Sequence, residues 1–286
     1  MRCGWWLKGR RPRPALEEVT ADQMAEYLRK RGAFRAKATL ASAMSHLRGL
    51  GEYLAREGYW KSNPLRWMKG PKMGLRSRLP KRIGKEQLVA LWKAAEGKPA
   101  GYPRTLLLGM LAVLYGTGVR RGELERLDLA DWRREEGVLL VDGRKTGRER
   151  LAPVHPRVAQ YLEAYLPFRQ SVLDKKGRWD ERGLFVGKAG QRMKGEYVGR
   201  LIHQLARKAK VPLVSVHQFR HTCASDLIEE GATLPQVQAL LGHAAITSTM
   251  WYLSISDPAL GEAVRKHPLN EYFSENSGEG GGRESA

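Results

Sequence analysis

Cysteine is almost missing from this chain: there are two in 286 residues, Cys3 and Cys223. Two thiols cannot build a disulfide framework or a multi-cysteine zinc site, so a reducing compartment, the cytoplasm, is the expected location. Long apolar runs are missing as well. The longest, LLLGMLAVLYGTG from Leu106, falls short of the ~20 residues that span a bilayer, and the N-terminus has no apolar signal core. Neither membrane insertion nor export is expected. Acid is the third scarcity, with 30 Asp and Glu set against 50 Lys and Arg for a formal charge of +20. Such a surface attracts polyanions, nucleic acid first, although an anionic membrane would be drawn by charge alone.

What is present is enough hydrophobic residue, 42%, for a real core, in a length that suits one large domain plus a small one. Residues 1–15 hold five basic residues, no acid before Glu17 and two prolines in MRCGWWLKGRRPRP, which reads as a basic N-terminal arm. TADQMAEYLRKRG has a capping-box start at Thr20 and Gln23, a stripe of Met24, Tyr27 and Leu28, and a stop at Gly32. A longer amphipathic helix follows through Leu40, Met44, Leu47 and Leu54 to Gly58. These predict a small helical domain over 16–68. Between Arg66 and Lys85 stand eight basic residues and no acidic one, broken by Pro71, Gly74 and Pro80. The segment 69–83 therefore reads as a basic linker lying along a phosphate backbone through Lys72, Arg76, Arg78, Lys81 and Arg82, although a solvated tether would have the same composition.

Beyond the linker the periodicity is helical, with one clear hairpin in GVLLVDGRKTGRERLAPV. The large domain, 84–272, is expected to be mostly α with a small antiparallel sheet. The last residues, 273–286, are Gly, Ser and Glu with nothing to bury and should be disordered.

The chemistry concentrates in VHQFRHTCASDLIEEG, where His217, Arg220 and His221 stand three and four residues apart on a helix. Zinc would take two histidines at this spacing, but Gln218 occupies the place of the carboxylate base and Arg220 would repel a dication. A phosphate suits the group better, since a guanidinium holds two oxygens while an imidazole donates to a third. Upstream, YGTGVRRGELERLDLADW starts a helix at Arg120; downstream, LLGHAAITSTMWY places His243 after Gly242 and Tyr252 nine residues later.

Arg in T-G-x-R-x-x-E-L, Lys in a hairpin, H-x-x-R, L-G-H and a following Tyr, in this order, resemble the tyrosine recombinase, or phage integrase, family over roughly Leu16 to Tyr272. The resemblance implies that the fold is mainly α: a helical, SAM-like core-binding domain, here shortened, ahead of a mostly helical catalytic domain with a small antiparallel sheet. Arg120 and Arg220 would be the two phosphate-binding arginines, with Glu123 supporting the first. His217 and His243 would contact phosphate oxygens, Lys145 would be the hairpin lysine and Tyr252 the nucleophile. Arg144 and Arg148 flank Lys145 where the family has G-K-G-x-K-x-R.

The activity implied is site-specific recombination through a covalent 3′-phosphotyrosyl intermediate and a Holliday junction. No metal or other cofactor is expected. The partners would be double-stranded DNA carrying target sites and three further copies of the chain, linked through SISDPALGEAVRKHPL, with a nucleoid-associated location and no membrane role. A type IB topoisomerase would use much the same residues, and a noncatalytic DNA-binding relative would share the basic linker. Two departures stand out: the region before Thr20 has no room for the family's first helix or two, so that either the form is reduced or the true start lies upstream, and no separate arm-binding domain is expected within this sequence.

Overall fold

The computed structural model describes residues 18–32, 37–68, 70–71, 82–142, 149–179, 181–242 and 258–269. The chain divides into two units, Met1–Leu79 and Pro80–Ala286, each with its own core.

In the first unit, α1 (Ala21–Gly32) begins as its capping residues dictate: the Thr20 N–H donates to Gln23 Oε1 at 3.0 Å and the Gln23 N–H to Thr20 Oγ1 at 3.3 Å. Helix α2 (Lys37–Arg56) follows. Met24, Tyr27 and Leu28 on α1 meet Met44, Leu47 and Leu54 on α2 in one apolar cluster, closed by Trp60 and Leu65. These are the apolar stripes that the spacing marks as buried faces. Asn63 ties the following turn to α2 by donating to the Arg48 carbonyl at 3.1 Å and accepting from the Leu65 N–H at 2.9 Å.

The second unit contains helices α3 (Lys85–Glu96), α4 (Tyr102–Thr117) and α5 (Arg121–Arg126), then the strands β1 (Trp132–Arg133), β2 (Val138–Val141) and β3 (Arg150–Pro153). Helices α6 (Pro156–Lys176), α7 (Gly195–Lys208), α8 (Val216–Glu229), α9 (Leu234–Leu241) and α10 (Pro258–Arg265) complete it. The apolar run from Leu106 is α4, buried on all sides from Leu106 to Thr117. A helix with no polar face belongs at the centre of a domain, and α4 packs against both α6 and α8. The sheet is antiparallel in the order β1-β2-β3, with Val141 opposite Arg150 and Leu139 opposite Ala152 on its buried face. The expected hairpin is thus β2 and β3, with β1 as an additional edge.

Residues 258–269 belong to the same core. Ala263, Val264 and Leu269 join the apolar cluster of the second unit. His155, which caps α6, accepts the Arg157 N–H on Nδ1 at 3.0 Å, so its proton sits on Nε2 and faces the Arg265 carbonyl at 3.2 Å. From Pro258 to Leu269, the segment expected to link neighbouring copies therefore packs on its own domain. Among the described residues no helix is long and apolar enough to cross a membrane.

Candidate active site

Helix α4 stops at Gly118, whose φ of 60° is left-handed. A side chain there would also collide, since a Cβ would lie 2.5 Å from Leu241 Cδ2. The reversal delivers Arg120 to the N-cap of α5 in extended conformation. Glu123, three residues on, takes the Arg120 backbone N–H on Oε2 at 2.8 Å and the Arg120 guanidinium on Oε1 at 2.6 Å. One carboxylate thereby starts the helix and aims the side chain that precedes it. The Arg120 side chain remains 35% exposed while that of Glu123 is 4% exposed, so the arginine can meet a ligand and its partner cannot.

Arg220 arrives from the first turns of α8. That helix is capped by Ser215, whose Oγ accepts the Gln218 N–H at 3.4 Å while Gln218 Oε1 accepts the Ser215 N–H at 2.8 Å. Gln218 thus works as a capping residue. Arg220 is buried and donates to the Gly118 carbonyl at 2.8 Å and the Leu241 carbonyl at 2.6 Å. Among the described residues these bonds engage two of its five N–H donors, and the same guanidinium retains donors for an anion. Burial first, then the charges of Arg120 and Arg150, bring Arg220 down to about 10, which leaves it charged at neutral pH.

His217 lies on the same helix, exposed, with its ring edge-on to His221 at 4.4 Å between centroids. Burial, His217 and Arg220 all lower the pKa of His221. The expected trio of His217, Arg220 and His221 is therefore contiguous, but its members divide: Arg220 turns into the domain toward Gly118 and Leu241, and His217 stays at the surface.

Arg150 was not foreseen as part of this group. It is 3% exposed, and it donates from Nη2 to Glu123 Oε2 at 2.9 Å and from Nε to the Leu240 carbonyl at 2.7 Å. Strand alternation was the available signal, since Arg150 shares the inward phase of β3 with Ala152. Burial alone would raise the Glu123 carboxyl, yet the bonds and charges of Arg150 and Arg120 outweigh it and hold Glu123 at about 2. Three guanidiniums gather around one carboxylate here, Arg120 and Arg150 bonded to it and Arg220 within reach of its charge, an unbalanced positive cluster that a phosphate diester would neutralise.

Arg82, read from sequence as a DNA contact, binds carboxylates of its own unit. It pairs with buried Asp226 and with Glu229, whose Oε2 lies 2.7 Å from Nη2. Asp226 also accepts the Tyr115 hydroxyl. Lys72, Arg76, Arg78, Lys81, Lys145, His243 and Tyr252 lie outside the described residues.

Comparison with known proteins gives one answer. The model of the phage integrase family matches residues 81–258. The tyrosine recombinase XerC of Thermodesulfovibrio yellowstonii is 34% identical over 240 residues, 83% of this chain and 78% of the relative. The tyrosine recombinase XerD of Caulobacter vibrioides is 34% identical over 259 residues, 89% and 83% respectively. The fold is that of the XerH site-specific recombinase solved with palindromic difH substrate in a post-cleavage complex, with a TM-score of 0.65 at 20% identity over 87% of this chain and 72% of that one.

Proposed function

The chain belongs to the phage integrase family and is a site-specific tyrosine recombinase, and from that premise we propose that Arg120 and Arg220 clamp the scissile phosphate of a double-stranded target site. The observation that carries this reading is the convergence of both arginines and Glu123 at the junction of α4, α5, α8 and α9. A diester under attack gathers negative charge on its equatorial oxygens. Cations fixed beforehand by Glu123, Gly118 and Leu241 stabilise that state without reorganising as the charge appears.

His217 and His243 complete the set as donors to the nonbridging oxygens. Tyr252 is the nucleophile. Its hydroxyl, with a reference pKa of ~10, needs a strongly positive surrounding to attack. The Tyr252 hydroxyl gives up its proton to water, its oxygen bonds to phosphorus, the bond to the 5′-oxygen breaks, and Lys145 delivers a proton to that oxygen. The phosphotyrosyl ester conserves the energy of the diester, so a 5′-hydroxyl from another strand reverses the step without ATP or metal, and two such rounds pass through a Holliday junction.

The organisation that serves this chemistry is a basic arm at 1–15, a core-binding domain at 16–68, a linker at 69–83 carrying Lys72, Arg76, Arg78, Lys81 and Arg82, a catalytic domain at 84–272 and a tail at 273–286. Four copies act on two sites in the cytoplasm, at the nucleoid. Because Ala263, Val264 and Leu269 are buried in their own domain, a link between copies would use the exposed side of α10 at Glu262, Arg265 and the adjoining Lys266 or the chain beyond Leu269, or would require α10 to leave its seat.

A nicked suicide duplex tests the reading. The wild-type chain is expected to form a covalent protein–DNA adduct in the presence of chelator, and Tyr252→Phe none. An undiminished adduct in Tyr252→Phe overturns the nucleophile assignment. Exchange between two labelled duplexes distinguishes recombination from relaxation of one.

A further inference from the structure

Two neighbouring main-chain oxygens at the end of α9 are each held by a different arginine. Arg150 Nε donates to the Leu240 carbonyl at 2.7 Å, and Arg220 Nη2 donates to the Leu241 carbonyl at 2.6 Å. The last carbonyls of a helix have no partner within the helix and carry its negative dipole end, so two cations there fix the helix end in position as well as satisfying it. The helix closes on Gly242 with a φ of 65°, immediately before His243 in the chain. Gly242 has no room for a side chain, since a Cβ would stand 3.0 Å from Arg150 Cδ and 3.2 Å from its Nη1.

The same Arg150 reaches Glu123, which in turn orients Arg120. Arg150 begins β3, five residues after Lys145, opposite Val141 at the end of β2. One buried side chain, on the strand that follows Lys145 in the chain, therefore touches both the carboxylate that aims the first arginine and the helix end that precedes His243 in the chain. Both of its described hydrogen bonds go to protein groups, one to a carboxylate and one to a carbonyl, which suits it to hold other parts of the site in place.

Resting on the cleavage reading above, we propose that Arg150 is a positioning residue for strand cleavage, holding Arg120 through Glu123 and the end of α9 through the Leu240 carbonyl. Lysine cannot replace it, because a single ammonium does not span a carboxylate and a carbonyl as the planar fork does.

The test measures single-turnover adduct formation on the suicide duplex beside DNA affinity at one fixed salt concentration. Arg150→Met is expected to cleave about 10- to 100-fold more slowly, the scale seen when the partner of a directly acting group is removed, with the Kd within about 3-fold of wild type. Its loss is expected to overlap with that of Arg120→Ala, so the double variant loses less than the product of the two single effects. Wild-type cleavage by Arg150→Met, or fully multiplying losses, overturns the proposal. Should Arg150→Met melt below the assay temperature, Arg150→Lys decides: cleavage about 10-fold slower by a folded protein supports the assignment, and the wild-type rate overturns it. Tyr252→Phe runs in parallel. Adduct persisting in that variant overturns the cleavage reading and this proposal together, whereas an inert Tyr252→Phe beside a fully active Arg150→Met overturns this proposal alone.

Discussion

Tyr115 on α4 and Asp226 on α8 meet inside the catalytic domain, the tyrosine hydroxyl donating to the carboxylate at 2.5 Å. Arg82 reaches the same carboxylate from the chain just before α3. Burial pushes the Asp226 carboxyl up, and the Tyr115 bond and Arg82 pull it part of the way back. A raised carboxyl binds protons more readily folded than unfolded, so its ionisation weakens the fold as pH rises. Tyr115→Phe removes a counterweight and raises Asp226 further. The variant is expected to be about 1–3 kcal/mol less stable near pH 7, with the deficit shrinking as pH falls below the folded pKa of Asp226. Urea titrations at several pH values read this, and a deficit independent of pH would contradict it.

Glu123 shows the opposite sign. Its carboxyl lies at about 2 against an ordinary 4.5, so ionised Glu123 stabilises the native state fully above pH 4.5, and that contribution is lost as pH falls toward 2. The shift corresponds to a contribution on the order of 3 kcal/mol. Glu123→Gln is therefore expected to be clearly less stable than wild type at pH 7 and to approach it below pH 3. Parallel melting curves across this range check the convergence.

Arg220 is predicted to be irreplaceable on two counts. Arg220→Ala should slow adduct formation by ~100-fold or more, the scale of removing one preorganised donor. Arg220→Lys restores a charge but cannot reach the Gly118 and Leu241 carbonyls together, so it should recover only a small part of the rate. Near-normal cleavage by either variant would remove Arg220 from the phosphate clamp.

Gly242→Ala adds one methyl group where φ is 65° and Arg150 Cδ is 3.0 Å from the new atom. The left-handed backbone alone costs about 1–2 kcal/mol. The variant is expected to melt several degrees lower and to cleave more slowly even at temperatures where it is fully folded, because the arginine must shift. Full activity at low temperature would show that the Arg150 position tolerates displacement.

The legible parts of this molecule were those encoded locally. The stripes of Met24, Tyr27 and Leu28 and of Met44, Leu47 and Leu54 marked two helix faces, and both proved buried together. Arg120 with Glu123 is a capping relationship, three residues long, and could be read as such. Arg150 was hidden by its company, standing near Arg144, Lys145 and Arg148 in a stretch that reads as one basic hairpin. Only the register of β3 opposite β2 turns Arg150 inward beside Val141, and its partners are 27 and 90 residues away. Arg82 was hard to tell from its neighbours for the complementary reason: a basic run looks uniform in sequence, while Asp226 and Glu229 on α8 pair with one member of it.

The grip on the end of α9 is made entirely through main-chain oxygens, which every amino acid provides. Residues 240 and 241 are thus free to drift among apolar side chains of similar bulk with both bonds intact. Sliding the helix by a single position would instead present the wrong carbonyl to each arginine. Sequence drift at this corner of the enzyme is cheap, and insertions or deletions are not.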